Sequence, residues 1–287
     1  MQNILLAGAT GYLGKHVLME LQKQHYPVKI VVRNKNKGSH NSKRTVTVIA
    51  ETTKPESLIG IMDGVETVIS TMGITKQKDG FKYMDVDYKA NLNLLQEAKR
   101  SGVKRFLYVS AFNADKLTHL KMCYAKERFV EELERSGLDY CIIRPNGFFS
   151  DMTEFLDMAK KGKADLFGDG SFKMNPIHGK DLAEICVDAI GSTEKHIEVG
   201  GPEVFTHKEM AHLAFNVLDK EPKIRYIPEW MRKMILWSAR TFSSSKTYGP
   251  MEFFFTVLSM NMIAPAYGRH TLLEYFKEMK QQMLEKP

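Results

Sequence analysis

A chain of 287 residues with 43% hydrophobic and 26% charged residues has the composition of a folded globular protein, which excludes a mainly disordered chain. Its net charge of +7 suits an anionic ligand or surface. The positive charge is not concentrated in one block and no recognition motif accompanies it, so we expect no nucleic-acid partner.

Short apolar runs alternate with amphipathic helical stretches over the first two thirds of the chain. The apolar runs are NILLAGA, VKIVVR, VTVIA, TVIST, RFLYVS and DYCIIRP, and helical patterns such as residues 15–24 and 88–101 lie between them. Buried strands joined by crossover helices are typical of a parallel sheet that is covered on both faces. The sequence therefore predicts an α/β, doubly wound parallel-sheet Rossmann fold, with its ligand at the carboxyl ends of the strands.

The pattern changes after Pro145, where turn-forming glycines precede another helix and a last strand around HIEVGG. From Pro202 onward the chain is typical of helices rich in Met and aromatic residues. The prolines expected to interrupt these helices are Pro222, Pro228, Pro250 and Pro265.

These patterns predict two regions. A Rossmann domain is expected over residues 1–150, with residues 176–200 returning to its sheet. A smaller, mainly helical region that faces the substrate and carries a lid is expected over residues 151–175 and 201–287.

The most specific motif follows the first predicted strand and reads Gly8-Ala9-Thr10-Gly11-Tyr12-Leu13-Gly14. Gly8 permits a tight turn, Gly11 lets backbone N–H groups approach a pyrophosphate, and Gly14 lets the following helix pack closely on the sheet. Because this turn lies between a strand and a helix N-terminus, we expect it to bind a dinucleotide.

The end of the second predicted strand indicates which dinucleotide is bound. An acidic residue at this place bonds the ribose 2′-hydroxyl, whereas an arginine accommodates a 2′-phosphate. The strand ends Val31-Val32-Arg33-Asn34-Lys35 and carries no Asp or Glu. Arg33, with Lys35 or Lys37 adding charge, favours NADP(H) over NAD.

The segments GATGYLG, VDYKANLNLLQEAKRSGVKRFLYVSAF and SGLDYCIIRPNGFF, together with Arg33, resemble those of atypical short-chain dehydrogenases/reductases. Within that superfamily the NmrA-like, isoflavone-reductase-like and divinyl-chlorophyllide-reductase-like groups are the most similar. The resemblance covers residues 1–200 and extends to GGPEVFTHKEMA.

The resemblance implies a role for each matching residue. The pyrophosphate would be held by Gly8, Thr10, Gly11, Tyr12, Leu13 and Gly14, and the 2′-phosphate by Arg33. The adenosine and ribose side would be lined by Thr71, Met72 and Gly73, and the nicotinamide by Ser110, Ala111 and Phe112. The carboxamide would be contacted by Pro145, Asn146, Gly147 and Phe148.

The catalytic pattern of the superfamily is absent in its usual register. That pattern places Tyr four residues before Lys, so that both side chains share one helix face. Here Tyr124 lies two residues before Lys126, about 200° around a helix. The residue four before Lys126 is Met122, which has no proton to donate.

Lys126 shares its face with the apolar Phe129, Val130 and Leu133, which predicts an inward side chain. The isoflavone-reductase-like proteins imply that such a lysine binds the nicotinamide ribose, donates a proton, or does both. Burial would suit proton donation by lowering the lysine pKa. Tyr124 is a weaker catalytic candidate, because it could act only if it preceded the helix and turned inward. Ser110 has no evident base and is expected to contact cofactor or substrate.

The segment Trp230–Trp237 is amphipathic and basic. It is typical of a lid over a substrate pocket, which we favour, or of a helix lying on an anionic membrane surface, which we favour less. A lid that carries Trp and Met would favour a bulky hydrophobic substrate. The histidines at positions 207 and 212 are too far apart on a helix to grip one ion, so no metal site is expected.

Cys123, Cys141 and Cys186 form no CxxC pair, which favours a reducing compartment. The opening MQNILLAGATG does not resemble a signal peptide, so a cytoplasmic location is expected. The sequence thus favours an NADPH-dependent reductase of a carbonyl or activated double bond in a small, hydrophobic substrate. A non-catalytic NADP(H)-binding regulator or assembly factor is the alternative, and the sequence leaves the oligomeric state open.

Overall fold

The structure is a computed structural model that describes residues 2–34, 44–74, 80–242 and 245–285. Strands and helices alternate along it. In chain order they are β1 Ile4–Ala7, α1 Tyr12–Lys23, β2 Val28–Val32, β3 Thr45–Ile49, β4 Thr67–Ser70, α2 Asn91–Arg100, β5 Arg105–Val109, α3 Lys121–Glu134, β6 Asp139–Pro145, α4 Phe149–Lys160, β7 Ala164–Phe167, β8 Lys173–Met174, α5 Gly179–Asp188, β9 His196–Val199, β10 Phe205–Thr206, α6 His207–Val217, β11 Ile224–Ile227, α7 Glu229–Phe242, α8 Ser245–Val257 and α9 Leu272–Leu284.

The chain divides into two compact units. The first unit comprises Met1–Arg144 with Leu182–Ile197, and the second comprises Pro145–Asp181 with Glu198–Pro287. In the described part of the chain, no helix combines the length and the apolar character needed to cross a membrane.

A seven-stranded sheet in the order β3-β2-β1-β4-β5-β6-β9 confirms the predicted doubly wound α/β Rossmann fold. Neighbouring strands from β3 through β6 pair in parallel. The chain order reverses between β1 and β4, and in such sheets the ligand binds outside the carboxyl ends of the strands at this reversal. The glycine turn follows β1 at this point.

The core of the first unit lies between the sheet and its helices. Helix α1 buries Leu13, Val17, Leu18 and Leu21, as expected for apolar residues spaced by three and four. On α3, Phe129 packs edge-on against Tyr108 of β5, with ring centroids 4.6 Å apart. This contact fixes the inward face of α3, and with it the place of Lys126.

A π-helical segment, Met84–Ala90, runs directly into α2. The helical pattern of residues 88–101 did not predict this wider turn. Segments of this kind are rare and occur often at functional sites. Here the segment carries Asp87, which is fully buried.

The second unit consists mainly of helices, with α4, α6 and α9 in mutual contact and α7 packed on α8. Its described residues also form two small sheets that the sequence did not predict, β7 with β11 and β8 with β10. Pro250 does not break the chain as expected but lies inside α8. A proline removes one helical hydrogen bond at its position, and the helix continues past this loss.

Candidate functional site

The glycine turn after β1 depends on close backbone contacts. Gly8 has a φ of +89°, and a Cβ at this residue would lie 2.5 Å from Thr71 Oγ1. A Cβ on Gly14 would lie 2.0 Å from the Gly8 carbonyl oxygen. The Gly11 amide donates to that same oxygen over 2.9 Å. Side chains at Gly8 and Gly14 would therefore disrupt the turn that joins β1 to α1.

Helix α1 begins with its N-terminal N–H groups toward this turn. Gly11 is its N-cap and provides no side-chain cap, and the first turn contains no acidic residue. Thr10 and Gly11 are exposed, whereas Leu13 is buried. The arrangement fits a dinucleotide pyrophosphate, which backbone N–H groups and the positive end of the helix can bind without any side-chain charge.

Arg33 follows β2 directly and is exposed. Glu51 lies beyond the end of the adjacent strand β3. Lys54 and, more weakly, Arg33 lower the pKa of the Glu51 carboxyl. Arg33 therefore lies near an acidic side chain that is already paired with a lysine. Lys35 and Lys37, the other predicted phosphate contacts, lie outside the described residues.

Lys126 forms a buried ion pair that the sequence did not indicate. Its Nζ lies 3.1 Å from Asp87 Oδ1, with side-chain exposures of 10% for Lys126 and 0% for Asp87. The ammonium also lies 5.5 Å from the centre of the Tyr108 ring. A Cβ on Gly73 would lie 2.9 Å from Lys126 Nζ. The ammonium therefore reaches the backbone that follows β4, at the carboxyl edge of the sheet.

The electrostatics of Lys126 correct the expectation of a lowered pKa. Burial lowers the lysine pKa, but the oxygens of Tyr108 and Asp87 outweigh burial and the net pKa is raised. Burial also raises the pKa of the Tyr108 phenol. Both groups keep their protons near neutral pH, so neither is tuned as an acid for proton transfer in this arrangement.

Ser110 at the end of β5 has a carboxylate partner, contrary to the expectation that no base lies near it. Its hydroxyl donates to Glu127 Oε1 over 2.9 Å, and Arg144 Nη2 donates to Glu127 Oε2 over 2.6 Å. Arg144 Nη1 also lies 3.2 Å from His196 Nδ1. Because the carboxylate already holds a guanidinium, Glu127 orients the serine hydroxyl and is not set up to deprotonate it.

Tyr124 lies within α3 and is 48% exposed. This placement contradicts the arrangement in which Tyr124 precedes the helix and turns inward. Met122 and Lys126 are both buried, so methionine occupies the helix face on which the superfamily places its tyrosine.

The group Pro145–Phe148 lies at the start of the second unit. Asn146 Nδ2 donates to Asn175 Oδ1 over 2.8 Å and to the Met262 carbonyl over 2.6 Å. Its Oδ1 accepts from the Gly147 amide over 2.8 Å. The Asn146 side chain is thus hydrogen-bonded within the second unit. A contact from Pro145–Phe148 to a cofactor would have to come from the backbone or from the other side chains of this segment.

The remaining predicted residues stay at the carboxyl edge. Thr71, Met72 and Gly73 follow β4, and Ala111 and Phe112 follow Ser110 after β5. Phe149 and Met152, which follow Phe148 on α4, are buried. Their packing with core neighbours, such as Phe149 with Tyr275 at 5.6 Å, explains their apolar character.

Sequence reasoning missed Asp87, Tyr108, Glu127 and Arg144. One signal was available: Arg144 stands in the apolar run DYCIIRP, and a charge in a buried strand requires a partner. Nothing in the sequence indicated that the partner is Glu127, because that pairing depends on how α3 crosses β6.

The fold and this edge together define a Rossmann protein built to bind a dinucleotide. A family model described as NAD(P)H-binding matches residues 8–193. The chain therefore belongs to this family of NAD(P)H-binding proteins, as the resemblance to short-chain dehydrogenases/reductases implied. The match confirms the predicted nicotinamide dinucleotide cofactor.

Among similar proteins is a chloroplastic divinyl chlorophyllide a 8-vinyl-reductase from Arabidopsis thaliana. It is 27% identical over 322 residues, which cover 96% of this chain and 76% of that protein. The Photosystem II assembly factor Ycf39 from Guillardia theta is 25% identical over 79% of this chain and 73% of its own. An NADPH-dependent quinone oxidoreductase from Escherichia coli has a similar fold, with a TM-score of 0.73, 18% identity, and coverage of 96% of this chain and 99% of its own.

These relatives support the predicted oxidoreductase class and correct one expectation. A cytoplasmic location was predicted from the opening of the sequence, and this prediction is wrong. The reductase relatives from Arabidopsis thaliana and Zea mays are chloroplastic, and further relatives are Photosystem II assembly factors.

Proposed function

We propose that the chain is an NADPH-dependent reductase that reduces an activated double bond or carbonyl in a small, largely hydrophobic substrate. The observation that carries the proposal is the turn Gly8–Gly14 at the sheet reversal, with Arg33 exposed at the tip of the next strand. The similarity to a reductase over 96% of this chain supports reduction as the reaction.

Arg33 is the proposed determinant of the phosphorylated cofactor. Its planar guanidinium can form two parallel hydrogen bonds to a 2′-phosphate. Strand β2 ends without the acidic residue that would bind a free 2′-hydroxyl. The backbone of residues 8–14 would hold the pyrophosphate, and residues 71–73 and 110–112 would line the remaining edge.

NADPH, when bound, supplies the hydride. Lys126 is the proposed orienting group for the cofactor ribose, because its ammonium lies beneath Gly73 and is fixed by Asp87. The raised lysine pKa supports positioning over proton donation. The proton for the product then comes from solvent.

The names of the relatives guide the choice of substrate and compartment. We place the protein in a plastid and take a conjugated vinyl group on a chlorophyll precursor as the first substrate to assay. Divinyl chlorophyllide a, named for the Arabidopsis thaliana relative, is the compound to use, with simple enones and quinones as the comparison panel.

Turnover is tested by NADPH oxidation with this panel, supported by product identification. A variant that carries both Lys126→Met and Asp87→Asn removes the ammonium without leaving an unpaired buried charge. We expect it to bind NADPH weakly and to lose turnover. Lys121→Ala, on the exposed start of the same helix, should retain both properties. Full turnover by the double variant would overturn the role given to Lys126.

A non-catalytic role as an NADP(H)-binding assembly factor is the second candidate. The observation in its favour is that Met122 replaces the proton donor on the buried face of α3, and assembly factors are among the relatives. Such a protein would bind NADPH in calorimetry and oxidise none of it with any substrate in the panel. Turnover of even one panel compound favours the reductase.

A further inference from the structure

Helix α7 presents an apolar stripe to solvent. Trp230 is 63% exposed, Met234 52% and Trp237 66%. These residues are spaced by four and three positions, so they share one face of the helix. Single exposed apolar residues are ordinary, but a contiguous patch with two tryptophans is typical of a contact surface.

The internal packing of α7 does not account for this stripe. The helix packs on α8, and the side turned away from the stripe carries Ala239, which is buried, and Ile235 and Leu236, which are half-buried. A surface helix needs only one apolar face to pack on its own unit. Helix α7 is apolar on two faces, and the second remains at the surface.

The charges around the stripe are positive. Lys233 and Arg240 are exposed and lie along one edge of it, given the 100° advance per residue of a helix. The carboxylate of α7, Glu229, is paired with Arg232 on the same helix. Three cationic side chains thus stand against a single carboxylate in this helix. Arg232 and, more weakly, Lys233 lower the pKa of the Glu229 carboxyl, and the helix keeps an excess of two positive charges for an anionic partner.

We propose that α7 docks the protein on the surface of an anionic lipid bilayer, with its axis in the plane of the membrane. Trp230, Met234 and Trp237 would enter the interface, where tryptophan is enriched because its ring is apolar and its N–H is polar. Lys233 and Arg240 would contact the lipid phosphates. With 14 residues the helix is shorter than a membrane span requires.

The chain provides its own reporter for this contact. Its two tryptophans are Trp230 and Trp237, so intrinsic tryptophan emission reports on the stripe alone. The full chain is titrated with vesicles of phosphatidylglycerol and, separately, of phosphatidylcholine. We expect a blue shift and cosedimentation with phosphatidylglycerol, weaker binding to phosphatidylcholine, and weakening of the anionic binding by salt.

Two sets of variants separate the apolar and charged contributions. Replacing both tryptophans with alanine should lower partitioning, measured by cosedimentation, by about tenfold or more. Lys233→Ala with Arg240→Ala should remove the preference for anionic lipid. The matched control is Lys99→Ala with Lys104→Ala, two exposed lysines of the first unit, which removes the same charge and should retain the preference.

Other occupants of the stripe give different results. A blue shift that requires NADPH and substrate but no vesicles assigns the stripe to a lid. A shift that grows with protein concentration alone assigns it to a second copy of the chain. Either result, or no response to anionic vesicles, overturns the proposal. Equal binding to the two lipids overturns the role of Lys233 and Arg240.

Discussion

Replacing Asp87 with asparagine should destabilise the protein strongly, because Lys126 would be left buried without its counter-charge. The pair is separated by 3.1 Å, and the Asp87 side chain is 0% exposed and that of Lys126 10%. Removing one partner of a buried ion pair costs about 3 to 5 kcal/mol. This is a large part of the roughly 5 to 15 kcal/mol that stabilises an ordinary domain.

Asp85→Asn is the matched control, because Asp85 lies on the same segment with a 35% exposed side chain and pairs with Lys89 at 3.7 Å. An exposed pair of this kind contributes at most about 1 kcal/mol. Urea unfolding followed by circular dichroism compares the two variants with the parent chain. Adding Lys126→Met to Asp87→Asn should recover part of the loss, since no buried charge then remains unpaired.

The reasoning about this pair is refuted if Asp87→Asn and Asp85→Asn lower the free energy of unfolding equally. It is also refuted if the added Lys126→Met makes the loss larger and not smaller. Either result would mean that the Lys126 ammonium in Asp87→Asn reaches solvent or another acceptor. The pair with Asp87 would then not be what positions Lys126.

Three further predictions concern the cofactor, acid stability and the serine network. Arg33→Ala should raise the Kd for NADPH by about tenfold or more, because the 2′-phosphate loses its guanidinium partner. The Kd for NADH should change by less than about twofold. Calorimetry measures both constants, and an equal loss of affinity for the two cofactors would contradict the role of Arg33. Burial lowers the pKa of His207 to about 4 from 6.5, so the unfolded chain binds an extra proton between these values. Stability should therefore fall as pH drops through this window, by about 3 kcal/mol at pH 4, and urea midpoints of His207→Phe should show a shallower fall than the parent. Glu127→Gln should destabilise the chain by about 3 kcal/mol, because Arg144 remains buried without its carboxylate. Ser110→Ala should lower the free energy of unfolding by only about 1 kcal/mol. If urea unfolding gave similar losses of stability for both variants, the ion pair of Glu127 with Arg144 would not be the main contribution.

Much of the first unit could be predicted because its signals are local. The apolar runs became β1 to β6 and β9 of the sheet. The turn from Gly8 to Gly14 was recognisable because glycine is needed wherever φ is positive or backbones nearly touch, and both conditions occur there. The exposed side of α3 followed from its helical period, which turns Tyr124 to solvent and Lys126 inward.

The second unit was less predictable. Strands β8 and β10 have two residues each, too few to form a periodic pattern. Pro250 was expected to end a helix, yet it lies within α8, because packing can outweigh the loss of one hydrogen bond.

The sequence by itself determined the α/β class, the place of the dinucleotide turn and the basic tip of β2, because each depends on residues close together in the chain. The tertiary structure alone decided what surrounds Lys126 and Ser110. Asp87 comes from a π-helical segment, and Glu127 and Arg144 from α3 and β6. These residues meet because of how the helices cross the sheet. The pKa of a buried titratable group is set by the groups around it, and around Lys126 these groups are distant in sequence. The sequence could therefore identify Lys126 but could not predict that its pKa is raised.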